Sequence, residues 1–161
     1  MAFAKVKAYF AQAGLEDRVM EFADSSATVE LAAEAVGCEA KQIVKTLSFL
    51  VDGEPILVAM AGDARVANPK FKAEFHSKPV MIPLEQVEHY IGHDIGGVCP
   101  FAVKPDVKVY LDASIKRFRE VYPAAGSSNS AVGLTVSEVE QYAHAVKWVD
   151  VGKGWQDEMR T

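Results

Sequence analysis

Three segments of this chain hold the residues best suited to chemistry: Lys45, the run Gly92-His93-Asp94-Ile95-Gly96-Gly97-Val98-Cys99-Pro100, and Gly126-Ser127-Ser128-Asn129. Glycine permits positive φ and lacks the Cβ that holds a neighbour away, while proline fixes φ and ends regular pairing. The first run therefore reads as a loop whose backbone comes close to something, with a plain turn as the alternative. Lys45 sits in Ile43-Val44-Lys45-Thr46-Leu47-Ser48-Phe49-Leu50-Val51, which alternates as a strand. Its odd positions are the more apolar set, so Lys45 is directed to the apolar face. A lysine there costs desolvation energy unless it meets an anion, lines a cavity, or snorkels at a sheet end. Beside a glycine loop its ammonium suits a phosphate, a carboxylate or a polarised ester carbonyl.

Other constellations are weaker. His89, His93 and Cys99 have part of a zinc spacing. Gly92 ends the helix between the two histidines, and no second cysteine or nearby carboxylate completes a set. Cys99 with His93 also fits a thiol nucleophile and base. Against that, Val98-Cys99-Pro100-Phe101 is the setting of a small buried hydrophobe. The chain has no GxSxG, GxxxxGK[ST] or GxGxxG pattern. Gly126-Ser127-Ser128-Asn129 is a turn, and becomes a binding loop only if it faces Lys45.

The elements that must position these residues follow from local signals. Helical spacing over residues 3–13 ends at Gly14, and residues 18–22 make a short strand. Asp24-Ser25-Ser26 offers caps for a helix over 29–36 closed by Gly37. The strand 43–51 turns at Asp52-Gly53 into a second strand over 55–61. Asn68-Pro69 starts a helix through Phe75, and Pro83 opens one over 84–91. Strands are expected at 107–111, 119–122, 131–134 and 146–151, with Asp112 capping a helical turn over 114–116. Thr135-Val136-Ser137-Glu138 is a capping box for a helix to Tyr142. The pattern lacks regular β-α-β alternation, so the expected class is α+β with a largely antiparallel or mixed sheet.

At 161 residues the chain is expected to be a single domain, with a core over about 3–151 and a mobile polar tail over 152–161. Half the residues are hydrophobic and 24% are charged, as in ordinary globular proteins. No stretch approaches the roughly 20 apolar residues of a membrane span, and the first residues lack a signal-peptide layout. Two cysteines, Cys38 and Cys99, without CxxC spacing fit a reducing, cytoplasmic setting. A net charge of −5 argues against a general nucleic-acid coat protein. The charge is uneven: residues 1–40 carry three basic and seven acidic side chains, whereas 63–78 and 104–119 are net basic. Such local basic faces hold phosphates while the remaining surface stays acidic.

Taken together, Val44-Lys45-Thr46-Leu47, the Gly96 to Pro100 GxxxP loop with Phe101, and Ala124-Ala125-Gly126-Ser127 resemble, in order and spacing, the YbaK and prolyl-tRNA synthetase-associated editing domains. The resemblance covers roughly residues 3–151. It implies a mixed α/β fold around a curved, barrel-like, mostly antiparallel sheet. It also implies a free-standing aminoacyl-tRNA deacylase that hydrolyses the ester of a small wrong amino acid, such as Cys, Ala, Ser or Thr, often on proline tRNA. Lys45 is then the key catalytic side chain, and Gly96, Gly97, Val98 and Pro100 shape the aminoacyl pocket. Thr46, Gly126, Ser127 and Asn129 are further substrate-binding candidates, and Thr28, Phe49, Met60, His93 and Phe101 candidate wall residues. No metal or cofactor is implied. The expected partners are the acceptor end of aminoacyl-tRNA and a synthetase, with neither DNA nor a membrane. Two other readings stay open: a non-catalytic module binding tRNA or a synthetase, and a small-molecule hydrolase using Cys99 and His93.

Overall fold

The structure, a computed structural model, describes residues 2–26, 28–93 and 96–156. Asp94 and Ile95, within the glycine run, and residues 157–161 of the expected tail lie outside the described residues.

The centre of the fold is a hairpin. Strand β2 (Ile43–Val51) and strand β3 (Glu54–Ala61) pair antiparallel with Val51 opposite Glu54. The two-residue turn between them has positive φ at both Asp52 and Gly53, the conformation that matches strand twist. Four strands complete the sheet: β5 (Lys108–Asp112), β6 (Glu120–Pro123), β8 (Leu134–Thr135) and β9 (Lys147–Val149). The order is β8-β6-β2-β3-β5-β9 in a curled half-barrel. The sheet is mixed, as expected. Its parallel share exceeds the sequence reading, because β2–β6, β3–β5 and β5–β9 are all parallel.

Alternation along these strands feeds two cores on opposite faces. Val44, Leu57, Ala59, Val109 and Leu111 join Val6 and Phe10 of helix α1 (Ala2–Gln12) and Val139 of helix α5 (Val136–Ala143). Phe49, Ile56, Val58 and Met60 join Phe71 of helix α3 (Asn68–Phe75), together with Val149 and Val151. Both faces are thus covered, which a mixed sheet with parallel pairs requires.

Several local signals act as read. Thr135 and Glu138 form the capping box of α5, and Asp112 accepts from the Ser114 N–H at 3.0 Å. Helix α2 (Val29–Val36) ends at Gly37 in the left-handed region, but its N-cap is Thr28, whose side chain accepts from Leu31 N–H, and not Asp24, Ser25 or Ser26. The expected strand over 131–134 is two strands. Ser130–Val132 (β7) pairs with Val19–Glu21 (β1), while Gly133 hands the chain to β8 on β6. The expected helix over 84–91 is a 3-10 turn followed by α4 (Val87–Ile91), closed by Gly92. The expected tail begins too early: Gly152–Lys153 form β10, paired with β4 (Arg65–Val66).

A lysine pocket at a gap in the sheet

The outer edge of β2 carries two partners with an interval between them. At one end β6 opposes only Ile43 and Val44. At the other, Leu50 N–H donates to the Val80 carbonyl (2.9 Å) and Ile82 N–H donates to that of Ser48 (3.1 Å). Main-chain groups alternate between the two edges of a strand, and here the even residues face outward. Thr46 therefore presents its N–H and C=O to the interval, where no main-chain partner stands among the described residues. Its Oγ1 is also buried without a hydrogen-bond partner among the described residues.

A cavity of about 340 Å³ fills this interval. Residues 43–48 form its floor, and Gly96 and Val98 of the glycine loop form one wall. Tyr122, Ala124, Ser130 and Ala131 close the back; Thr28, Val29 and Ala32 approach from α2; Met81 and Leu84 stand exposed on the rim. The lining is largely apolar with few polar groups, as in small-ligand sites.

Lys45 lines this cavity half-buried and shares its face of the sheet with Met60. Burial is the main influence on its ammonium and pushes its pKa below the ordinary lysine value; Arg65 pushes the same way, while Asp63 and Glu30 pull it up. Asp63 is itself held by both terminal nitrogens of Arg117. Among the described residues no carboxylate forms an ion pair with Lys45. The pocket therefore contains a half-buried cation whose charge no carboxylate among the described residues neutralises at contact distance.

The close approach implied by the two glycines is to another loop of the same chain. A Cβ on Gly97 would lie 2.5 Å from Ser127 Cα and N, and one on Gly126 would lie 2.7 Å from the Ala2 carbonyl oxygen. Three stretches of backbone are thus stacked, which only glycine at both positions allows. This stack holds residues 96–98 against β2. Neither the Gly97 nor the Val98 N–H donates to a main-chain carbonyl among the described residues. Pro100 is buried behind the loop.

The sequence candidates divide accordingly. Lys45, Thr46, Gly96, Val98 and Thr28 meet in the pocket. Gly97, Pro100, Gly126 and Ser127 sit behind it as support. Asn129 is a strut, its Nδ2 donating to the Phe22 carbonyl at 2.8 Å, and Ser127 Oγ lies 2.7 Å from Ser130 Oγ. Phe49, Met60, His93 and Phe101 are core residues and not walls. Sequence reasoning missed Tyr122, Ser130 and the rim pair Met81 and Leu84. Tyr122 and Ser130 reach the site through strand pairings that no local signal specifies.

Cys99 is fully buried outside the cavity, and desolvation pushes its thiol up to about 12 against the N–H groups of Phe101 and Gly126. His93 Nε2 lies 2.7 Å from the Phe101 carbonyl and 3.5 Å from Cys99 Sγ. A carbonyl only accepts, so Nε2 carries the proton and cannot take one from the thiol. The Cys99–His93 nucleophile is overturned on both counts.

Fold and pocket together define a binding domain whose floor is residues 43–48 of β2 and whose one charged wall group, among the described residues, is a lysine. The chain belongs to the aminoacyl-tRNA editing domain family, which matches residues 23–142. It is 45% identical over 157 residues to the uncharacterized protein YwhH of Bacillus subtilis, covering 97% of this chain and 100% of that one. A proline–tRNA ligase of Lactiplantibacillus plantarum is 29% identical over 128 residues, covering 77% of this chain but 22% of the ligase. A crystal structure described as a candidate trans-editing enzyme for prolyl tRNA synthetase superposes with a TM-score of 0.85 at 27% identity, over 95% of this chain and 98% of that one.

Proposed function

We propose that this protein is a free-standing aminoacyl-tRNA deacylase. It hydrolyses the ester of a small, wrongly attached amino acid, Cys, Ala, Ser or Thr, on proline tRNA or a related tRNA. The observation that carries the reading is Lys45, a half-buried ammonium without an ion pair among the described residues that lines a largely apolar pocket beside Thr46 and the glycine loop. The family and the prolyl-tRNA synthetase relatives support the substrate class.

An aminoacyl ester is already activated, so the protein's task is to place it and to stabilise charge as it develops. The aminoacyl group enters the interval in β2, where Thr46 N–H, C=O and Oγ1 orient it. Water adds to the ester carbonyl carbon, and the carbonyl oxygen becomes an oxyanion. The Lys45 ammonium and the N–H groups of the 96–98 segment favour that charge. The carbon–oxygen bond to the ribose then breaks, the ribose oxygen takes the proton released by the water, and free amino acid and tRNA leave. The neighbouring ribose hydroxyl relays this proton, so no protein base is required.

The test is ester loss from proline, alanine and other tRNAs charged with Ala, Ser, Thr or Cys. The reading expects at least one pair to be hydrolysed well above the spontaneous rate. Binding without hydrolysis of any pair would replace it with a non-catalytic tRNA-binding module.

A further inference from the structure

Two exposed cations lie outside the pocket and outside the mechanism above. Arg65 on β4 and Lys153 on β10 stand directly opposite each other in the antiparallel register. Like charges at opposed positions of a strand pair repel. Among the described residues neither takes part in an ion pair, whereas the nearby Lys70 is held by Asp150 and Arg117 by Asp63. The arrangement is built and not incidental. Ala67 N–H donates to the Val151 carbonyl (2.7 Å), Val151 N–H to Asp112 Oδ1 (2.9 Å), and Lys70 Nζ to the Gly152 carbonyl (3.0 Å). Gly154, at φ +88°, lies beside Arg65, where a Cβ would make ordinary van der Waals contact with the guanidinium at 3.6 Å. The ribbon also adjoins the pocket: Lys45 pairs with Met60, β3 ends at Ala61, and the chain reaches Arg65 four residues later.

We propose that the β4–β10 ribbon is a docking surface for the sugar-phosphate backbone of an RNA strand whose 3′ end enters the Lys45 pocket, with Arg65 and Lys153 each meeting a phosphate. The inference rests on the deacylase reading for the direction of the strand. It supplies what the pocket lacks, an anchor for the nucleotides beyond the ester. A chain of net charge −5 must concentrate its attraction for RNA locally, and two opposed, unpaired cations beside the pocket do so. Phosphate relieves their mutual repulsion, so the ribbon binds a polyanion better than it tolerates its absence.

The experiment is binding of full-length uncharged tRNA, followed by fluorescence anisotropy across a salt series. The proteins are wild type, R65Q/K153Q, and the charge-matched control K5Q/K7Q on helix α1, within the acidic segment 1–40. The double variant is expected to bind about tenfold more weakly at low salt, and the slope of log affinity against log salt should become shallower by about 2. The loss should appear in KM for charged tRNA and not in kcat. R65K, which keeps the charge, should restore most of the affinity at that position. A ribbon double variant matching K5Q/K7Q in affinity and slope overturns the proposal. Wild type that binds with the predicted ribbon dependence but hydrolyses no charged tRNA leaves the surface standing and removes the deacylase reading.

Discussion

Lys45 is the residue on which the chemistry turns, and its environment makes opposite demands on folding and on function. Removing its charge by Lys45→Gln should lower the deacylation rate by about 10²–10³-fold, the usual effect of losing one group that stabilises an oxyanion. Burial and Arg65 hold its pKa below the ordinary lysine value, so the ammonium is lost at lower pH than in free lysine. Activity carried by that charge should decline on the alkaline side correspondingly early, and Lys45→Arg, charged throughout, should remove the decline from whatever activity it retains. The sign for stability follows from proton counting. Between the lowered folded pKa and the ordinary unfolded one, the unfolded chain holds more protons, so stability rises with pH across that window. Below it the desolvated ammonium is a cost, and Lys45→Met should melt at a higher temperature than wild type at pH 7 while losing activity. Cys99 makes the contrasting case. Cys99→Ala should keep kcat within a fewfold and cost about 1–2 kcal/mol in chemical denaturation, because the thiol packs and does not react.

At the scale of elements, the glycine loop works by resting on the 126–127 turn. Gly97→Ala would place a methyl 2.5 Å from Ser127 backbone atoms, so one loop must move. We expect a loss of about 1–3 kcal/mol in denaturant unfolding and a larger relative fall in kcat/KM than Cys99→Ala causes, since residues 96 and 98 line the pocket. What the sequence revealed here was local. The Asp52-Gly53 turn, the Thr135–Glu138 box and the exact extent of β2 are each set by residues a few positions apart. Lys45 and the glycine loop were legible for the same reason, as a breach of alternation and a run of turn residues, whereas Thr46 entered only through the family resemblance. The bond of Asn129 to the Phe22 carbonyl was not legible, because Phe22, just past β1, lies 107 residues away. The gap in β2 was also beyond reach, since it exists only through where β6 and residues 80–82 stop pairing.

For the whole molecule, the pocket is a consequence of sheet topology: a two-sided mixed sheet whose central strand β2 pairs with β3 throughout but, among the described residues, lacks a partner along its other edge for one short interval. The far end is tied by Asp112, fully buried, which accepts from Ser114 N–H and Val151 N–H and so joins β5 to the C-terminal ribbon. Asp112→Ala should cost about 2–3 kcal/mol by orphaning both donors, with faster hydrogen exchange over residues 150–153 before the rest of the chain. The sequence reading ended the core at 151 because the following residues are polar and short. Their pairing with β4 depends on backbone groups and on Asp112, not on an apolar pattern. The central claim, that this pocket hydrolyses aminoacyl-tRNA through the Lys45 charge, is tested most directly by single-turnover deacylation of mischarged proline tRNA, comparing wild type with Lys45→Ala. The claim predicts rapid ester loss with wild type and a rate at least about 100-fold lower with the variant. Equal rates for the two proteins would contradict it.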